Sequence, residues 1–208
     1  MNPKSVFVNA LTFLRVPLIF AWLVCAVVQV YVGGFWLAFV ACVSMFLSGL
    51  TDLFDGALAR RWDVVTPLGK MADPLMDKVF YVVAFPGLTW MIMRQGLSET
   101  HALVMLAFTI LYILRDLWVT FMRSVGSMYG ANVAAMWLGK VRTALSFPTA
   151  GWIYLYVVLS GEVSASCQTA WLWSCYAVEA AMIALNVVSF FTYTRSYMPY
   201  MKRALERK

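Results

Sequence analysis

The residues with the clearest chemical potential are aspartates clustered between Leu50 and Lys78. The chain has ten acidic residues, and half of them fall in this stretch of an otherwise mostly apolar sequence. They are Asp52, Asp55, Asp63, Asp73 and Asp77. Carboxylates are destabilising at membrane depth and repel one another when they are close. A cluster of this kind therefore predicts bound cations.

The spacing of the aspartates predicts two carboxylate faces on neighbouring helices. Asp52 and Asp55 are three residues apart, and Asp73 and Asp77 are four apart, so each pair lies on one face of a helix. The connection over 61–69 allows the second helix to return antiparallel, so both faces can open onto one cleft. Asp63 fits neither face, and we interpret it as a solvated loop residue.

Four facing carboxylates predict hard cations as ligands. Oxygen donors select Mg²⁺, Ca²⁺ or Mn²⁺, whereas zinc prefers histidine or cysteine, and the only histidine is the distant His101. Four aspartates suit two divalent cations, which together can clamp a pyrophosphate during displacement at phosphorus. Anchoring of a helix end at the lipid headgroups would explain one aspartate, but explains four on two converging faces poorly.

The composition is typical of an all-α integral membrane protein. The 208 residues are 62% hydrophobic and 12% charged, and the mean hydropathy is +0.77. The net charge is +6, but no basic run suggests nucleic-acid binding, so we expect no nucleic-acid partner. The cysteines show no metal-binding spacing, and we interpret them as ordinary thiols.

Six apolar windows are long enough to cross a bilayer, and they predict one membrane domain over residues 1–208. The predicted spans are Val8–Tyr31, Phe35–Ala59, Met71–Met93, His101–Val125, Thr143–Leu159 and Ala170–Tyr193. We interpret the first as a retained span, because no cleavage site follows it. With the N-terminus inside, Arg94 alone among the sixteen Lys and Arg residues falls on the outer side. Both termini and the aspartate cleft are therefore predicted to be cytoplasmic.

The aspartate stretch resembles the signature of the CDP-alcohol phosphatidyltransferases. The matching pattern is Asp52-x2-Asp55-Gly56-x2-Ala59-Arg60-x8-Gly69-x3-Asp73-x3-Asp77. The six-span layout extends the resemblance over nearly the whole chain. The resemblance implies a homodimeric enzyme that acts on CDP-diacylglycerol in a membrane, most simply a bacterial inner membrane, with a mitochondrial inner membrane left open.

The resemblance also implies roles for individual residues. Two divalent cations, Mg²⁺ foremost and Mn²⁺ as the alternative, would be shared by Asp52, Asp55, Asp73 and Asp77. Asp77 would also take the proton from the attacking hydroxyl. The residues implied to line the cytidine site of CDP-diacylglycerol are Gly56, Ala59, Thr66 and Gly69. Arg60 would hold the pyrophosphate, a role for which a fixed guanidinium is chemically suited.

Four further stretches are similar to those of family members that use glycerol 3-phosphate as the acceptor. They are "DPLMDK" at 73–78, "NALTFLR" at 9–15, "LRDLWVTFMR" at 114–123 and "WLGKVRT" at 137–143. Basic residues in the last two stretches predict a site for the acceptor's phosphate. They are Arg115, Arg123, Lys140 and Arg142. Membrane anchoring is the alternative, and it explains the deeper Arg115 poorly.

Two other functions remain open on the sequence alone. A sister enzyme with another acceptor, such as inositol phosphate or serine, would keep the aspartates and change only the acceptor pocket. A divalent-cation transporter would also use intramembrane carboxylates, but such sites tend to lie at mid-membrane between repeated halves. We find no internal repeat, and the acids lie at one predicted surface.

Overall fold

The computed structural model describes residues 2–131 and 137–206, without the side chain of Lys70. The described residues form six α-helices, and their regular secondary structure is helical throughout. The helices are α1 (Pro3–Val32), α2 (Phe35–Arg61), α3 (Pro67–Arg94), α4 (Glu99–Met128), α5 (Trp137–Leu159) and α6 (Ala165–Glu206). Part of the predicted connection before Trp137, together with Arg207 and Lys208, lies outside the described residues.

Five of these helices are long and apolar enough to cross a membrane, namely α1 to α4 and α6. This number is typical of a multi-pass membrane protein, so the all-helical membrane class is confirmed. The helix α5 is not among the five. Its sequence includes Arg142, Pro148 and Gly151 along with two tyrosines, which lower its hydropathy. The predicted span Thr143–Leu159, and with it the total of six spans, therefore stays a prediction.

Local signals explain where the site-bearing helices begin and end. Asn2 caps α1 through its side chain, which accepts from the Lys4 amide, and Pro3 follows as the first helical residue. Thr66 caps α3 in the same way, and Pro67 follows it. Between α1 and α2, Gly33 and Gly34 adopt φ values of 72° and 104°, a region that glycine tolerates. The tight turn returns α2 along α1.

The chain clusters into two compact units. The first comprises Met1–Ala102 with Ala150–Val163, and the second comprises Leu103–Thr149 with Ser164–Lys208. In the first unit, α1 packs against both α2 and α3. Large buried side chains of this unit include Trp22, Phe80, Phe85 and Leu88. In the second unit, four buried side chains form a core cluster of Val119, Met122, Tyr193 and Tyr197.

The buried face of α1 carries polar as well as apolar side chains. Its buried residues are Val8, Thr12, Arg15, Ile19, Trp22 and Ala26. They follow one another at intervals of four and three residues, the spacing of a single helix face that packs against neighbouring helices. Thr12 and Arg15 are polar members of this face, and they are buried along with its apolar ones.

Candidate functional site

Four aspartates of the first unit converge on the guanidinium of Arg15. Nη2 of Arg15 lies 2.6 Å from Oδ1 of Asp52, 3.2 Å from Oδ2 of Asp55 and 3.5 Å from Oδ1 of Asp73. Nη1 lies 2.7 Å from Oδ1 of Asp77. The Arg15 side chain is 1% exposed. We call Arg15 and the four aspartates the carboxylate cluster.

Three helices position this cluster. Asp52 and Asp55 lie within about three turns of the end of α2, and Asp73 and Asp77 within about three turns of the start of α3. Arg15 comes from the first half of α1, which packs against both helices. The structure thus brings all four predicted aspartates together. It also shows that a third helix, α1, contributes the cation of Arg15.

The carboxylates are spaced suitably for a metal ion. One ligand oxygen each from Asp52, Asp55 and Asp73 lies within 4.8 Å of the others. Oxygens that share a Mg²⁺ or Ca²⁺ ion sit roughly 2.0–2.6 Å from it, so separations of this size allow a common ion after small side-chain adjustments. Exposure rises from 5% at Asp55 to 53% at Asp73, so the cluster is accessible on the side of Asp73. The donor set fits a hard divalent cation.

Polar residues of α1 also support the carboxylates and the start of α3. Thr12 donates its hydroxyl to Oδ2 of Asp55 at 2.8 Å. Asn9 accepts from the Thr66 hydroxyl at 3.0 Å, and the same Thr66 oxygen accepts from the Gly69 amide at 2.9 Å. A Cβ at Gly69 would lie only 3.1 Å from the Thr66 oxygen and 3.2 Å from the Asn9 oxygen. Glycine at position 69 therefore lets α3 begin close to α1.

The remaining residues predicted to contact the nucleotide lie at the end of α2. Arg60 is exposed, and its guanidinium folds over Gly56, where a Cβ would lie 3.3 Å from Nη1 of Arg60. Ala59 is half-buried, and its carbonyl accepts from the Val64 amide at 3.1 Å. Asp63 is exposed in the following loop with φ of 53°, as predicted for a residue outside the cluster.

A second charged cluster lies in the second unit. Arg142 places Nη2 2.7 Å from Oδ1 of Asp116, and Nη1 of Arg115 lies 3.6 Å from the same oxygen. Arg142 also donates to Oδ1 of Asn186 at 3.3 Å, and Arg115 donates to the hydroxyl of Ser189. We call Arg115 and Arg142, together with the Asp116 carboxylate that both contact, the arginine pair. Two cations share one carboxylate here, so the pair carries a net positive charge.

Aromatic rings hold the arginine pair in place. The Arg142 guanidinium lies 4.0 Å from the centre of the Tyr112 ring, and the Arg115 guanidinium lies 5.1 Å from that of Tyr193. Both arginines are buried, with residue exposures of 2% for Arg142 and 6% for Arg115. Membrane-anchoring side chains normally reach the headgroups, so burial of this degree favours a binding role.

The other two basic residues predicted for the acceptor site lie in different surroundings. Lys140 is exposed, and Arg123 is half-buried beside Tyr197. At Gly139 a Cβ would lie 2.8 Å from the hydroxyl of Tyr193, so glycine there lets the tyrosine approach α5. The structure thus joins two of the four basic residues through Asp116.

Several site residues were missed by reasoning from the sequence. Arg15 was counted only as a cytoplasmic charge, and Asn9 and Thr12 were quoted without a role. Their spacing of three residues in an apolar helix was the available signal. Asn186 and Ser189 of α6 are 3% and 0% exposed and share the same spacing. Intramembrane polar residues one turn apart mark a face that meets other polar groups.

We expect Thr66→Ala to destabilise the start of α3. The substitution removes the cap of the Gly69 amide and the bond to Asn9, and loss of a helix cap costs about 1 kcal/mol. Thermal unfolding in detergent should show a lower midpoint than in the wild type. Thr192→Ala is the matched control, because the exposed Thr192 hydroxyl bonds the carbonyl of Val188 in its own helix. An equal shift in both variants would contradict the capping role.

Comparison with known proteins identifies the family of this chain. The family model described as CDP-alcohol phosphatidyltransferase matches residues 6–193. A relative from Salmonella choleraesuis (strain SC-B67), a CDP-diacylglycerol–glycerol-3-phosphate 3-phosphatidyltransferase, is 31% identical over 127 residues. A protein of the same name from Escherichia coli (strain K12) is 31% identical over 123 residues. These matches cover 61% and 59% of this chain, and the chain spans 66% and 64% of the relatives' length. The chain belongs to the CDP-alcohol phosphatidyltransferase family.

Proposed function

We propose that this protein transfers the phosphatidyl group of CDP-diacylglycerol to sn-glycerol 3-phosphate, which yields phosphatidylglycerol phosphate and CMP. The observation that carries the proposal is the convergence of four aspartates from α2 and α3 in a chain of this family. The names of the Salmonella and Escherichia coli relatives support the choice of donor and acceptor.

Two divalent cations, Mg²⁺ foremost and Mn²⁺ as the alternative, would be held by Asp52, Asp55, Asp73 and Asp77. When bound, such ions neutralise the pyrophosphate and align it for in-line displacement. The oxygen-only donor set and the spacing within 4.8 Å of three of these aspartates support this assignment. The exposed side of Asp73 provides access for a ligand from outside the helices.

The residues assigned to CDP-diacylglycerol surround the same end of the first unit. Gly56, Ala59, Thr66 and Gly69 would line the cytidine site. Arg60 would bind the pyrophosphate, because its guanidinium is exposed and offers a planar set of donors to phosphate oxygens. Glycine at 56 leaves the space in which that guanidinium lies.

The acceptor's phosphate would be bound by Arg115 and Arg142, with Arg123 and Lys140 as further cations. Asp116 neutralises one of the two buried guanidiniums, so the arginine pair retains one positive charge for an anion. Nε of Arg115 has no hydrogen-bond partner among the described residues, which leaves a donor for a ligand. A phosphorylated polyol satisfies this charge, whereas serine carries no phosphate.

In the reaction, the 1-hydroxyl oxygen of sn-glycerol 3-phosphate attacks the phosphorus that is attached to diacylglycerol. Asp77 accepts the hydroxyl proton as the new phosphorus–oxygen bond forms. The bond between that phosphorus and the oxygen of CMP breaks, and CMP leaves with the bonding electrons. Asp77 lies on α3 one turn after Asp73, so the proposed base is next to the proposed metal ligands.

In the membrane, we place all six helices as spans of one domain with both termini and the active site on the cytoplasmic side. The helix α5 has 23 residues, about 34 Å at 1.5 Å per residue, which is enough to cross the hydrocarbon core. The distribution of Lys and Arg supports the orientation. The proposal includes a homodimer, which the family resemblance implies, and a bacterial inner membrane, since the relatives named above are bacterial.

We expect purified protein in detergent to release CMP from CDP-diacylglycerol when Mg²⁺ and glycerol 3-phosphate are present. Serine, inositol and inositol phosphate should each support release at less than about a tenth of that rate, because a wrong acceptor leaves buried polar groups unpaired. Excess EDTA should abolish release. Absence of release with every acceptor would contradict the enzyme, whereas a preference for inositol phosphate would replace only the acceptor.

A further inference from the structure

The carboxylate cluster contains its own cation, the guanidinium of Arg15. Nη2 of Arg15 lies within 3.5 Å of Asp52, Asp55 and Asp73, the three residues whose oxygens group closely enough for a metal ion. Nη1 binds Asp77, the fourth predicted ligand. The guanidinium therefore contacts every carboxylate that the proposed function assigns to metal binding.

Nη2 of Arg15 lies among the carboxylates that would surround a metal ion. A divalent cation shared by three carboxylate oxygens sits among them, at roughly 2.0–2.6 Å from each. Nη2 lies among the same three residues at 2.6, 3.2 and 3.5 Å. A nitrogen and an ion cannot occupy one position, and a guanidinium beside a doubly charged ion repels it strongly in a buried site.

The hydrogen bonds of the Arg15 guanidinium run to carboxylates that would bind the metal. Its Nε is buried and has no hydrogen-bond partner among the described residues, so the group is held by its two terminal nitrogens. Thr12, which donates to Asp55, keeps that carboxylate in place through an independent bond. If the guanidinium moved away, the four carboxylates would be free to bind a metal ion, while Asp55 would keep its bond from Thr12.

We propose that Arg15 is an internal counter-ion that competes with divalent cations for the four aspartates and thereby lowers the metal affinity of the site. The inference rests on the proposed function, because it takes the aspartates to be the metal ligands. The alternative is that Arg15 orients the carboxylates around bound metal and so raises the affinity. The two roles predict opposite effects when the positive charge is removed.

The test measures Mn²⁺ binding to the purified full-length protein in detergent, without substrate, from the loss of the free Mn²⁺ signal in electron paramagnetic resonance. We expect Arg15→Gln to bind Mn²⁺ at least about tenfold more tightly than the wild type, because like-charge repulsion is removed. Arg15→Lys should fall between them, since one ammonium nitrogen cannot bridge Asp52 and Asp77 as two guanidinium nitrogens do. Arg94→Gln is the charge-matched control and should bind as the wild type does, because Arg94 lies over the Tyr31 ring at the other end of α3.

Each outcome decides one question. Equal or weaker binding by Arg15→Gln would overturn the competition while leaving the metal site of the proposed function intact. If Arg15→Gln does not fold, Arg15→Lys decides alone, and binding no tighter than the wild type overturns the inference. Absence of saturable Mn²⁺ binding in all four proteins would overturn both the inference and the metal site. Asp77→Asn added to Arg15→Gln should weaken binding again, which assigns the ion to this cluster.

Discussion

Asp77→Asn is expected to lower the rate of CMP release at least about a thousandfold at saturating Mg²⁺ and both substrates. The amide cannot accept the hydroxyl proton, and general-base catalysis typically contributes about 10²–10⁴ in rate. The substitution also removes one carboxylate from the proposed ligand set. The side chains are nearly the same size, and Arg15 retains its bonds to the other aspartates, so the protein should still fold.

The control for this variant is Asp63→Asn, the same chemical change in the same sequence stretch. Asp63 is exposed in the loop after α2, outside the carboxylate cluster, so turnover should stay within about twofold of the wild type. Rates measured by CMP release with equal amounts of folded protein would make the comparison. Near-normal turnover by Asp77→Asn would remove Asp77 from the role of base.

Arg115→Gln is expected to raise the KM for glycerol 3-phosphate by about 10–100-fold. A hydrogen bond to a charged group contributes roughly 1.5–3 kcal/mol, and each 1.4 kcal/mol corresponds to tenfold in affinity. The KM for CDP-diacylglycerol should change by less than about threefold, because the arginine pair is assigned to the acceptor alone. Initial rates with each substrate varied in turn separate the two constants.

Two further variants make this expectation specific to the charge and position of Arg115. Arg115→Lys keeps the charge and should show a smaller rise in the KM for glycerol 3-phosphate. Lys202→Gln removes an exposed cation from α6 and should leave both constants unchanged. If Arg115→Gln lowered turnover with no change in either KM, or raised both equally, the phosphate-binding role would be wrong.

The helical membrane class followed from the sequence because long apolar windows leave few alternatives in a bilayer. The sequence was less decisive for α5. Its first half contains Lys140 and Arg142, and its second half mixes Gly151 with tyrosines, so hydropathy gives a weaker signal there. Burial of Arg142 in the second unit explains this composition, because a helix that carries buried polar residues needs less apolar surface. Such burial depends on partners on other helices, which local patterns do not reveal.

The carboxylate cluster was predictable only in part. Helical spacing places Asp52 with Asp55 and Asp73 with Asp77, and a short connection brings the two pairs near each other. The contribution of α1 was not predictable in this way. Arg15 is 62 residues from Asp77 in the sequence, and only the packing of α1 against α3 brings their side chains to 2.7 Å. A charged residue on the buried face of an apolar helix was the signal, but Arg15 was counted only as a cytoplasmic charge.

The proposal depends most on divalent cations being bound between the aspartates of α2 and α3. Anomalous diffraction from crystals grown with Mn²⁺ and CDP-diacylglycerol, measured above the manganese absorption edge, tests this directly. We expect two peaks among Asp52, Asp55, Asp73 and Asp77, each within about 2.6 Å of carboxylate oxygens. A map in which these side chains point away from one another, with no manganese peak between them, would contradict the proposed active site.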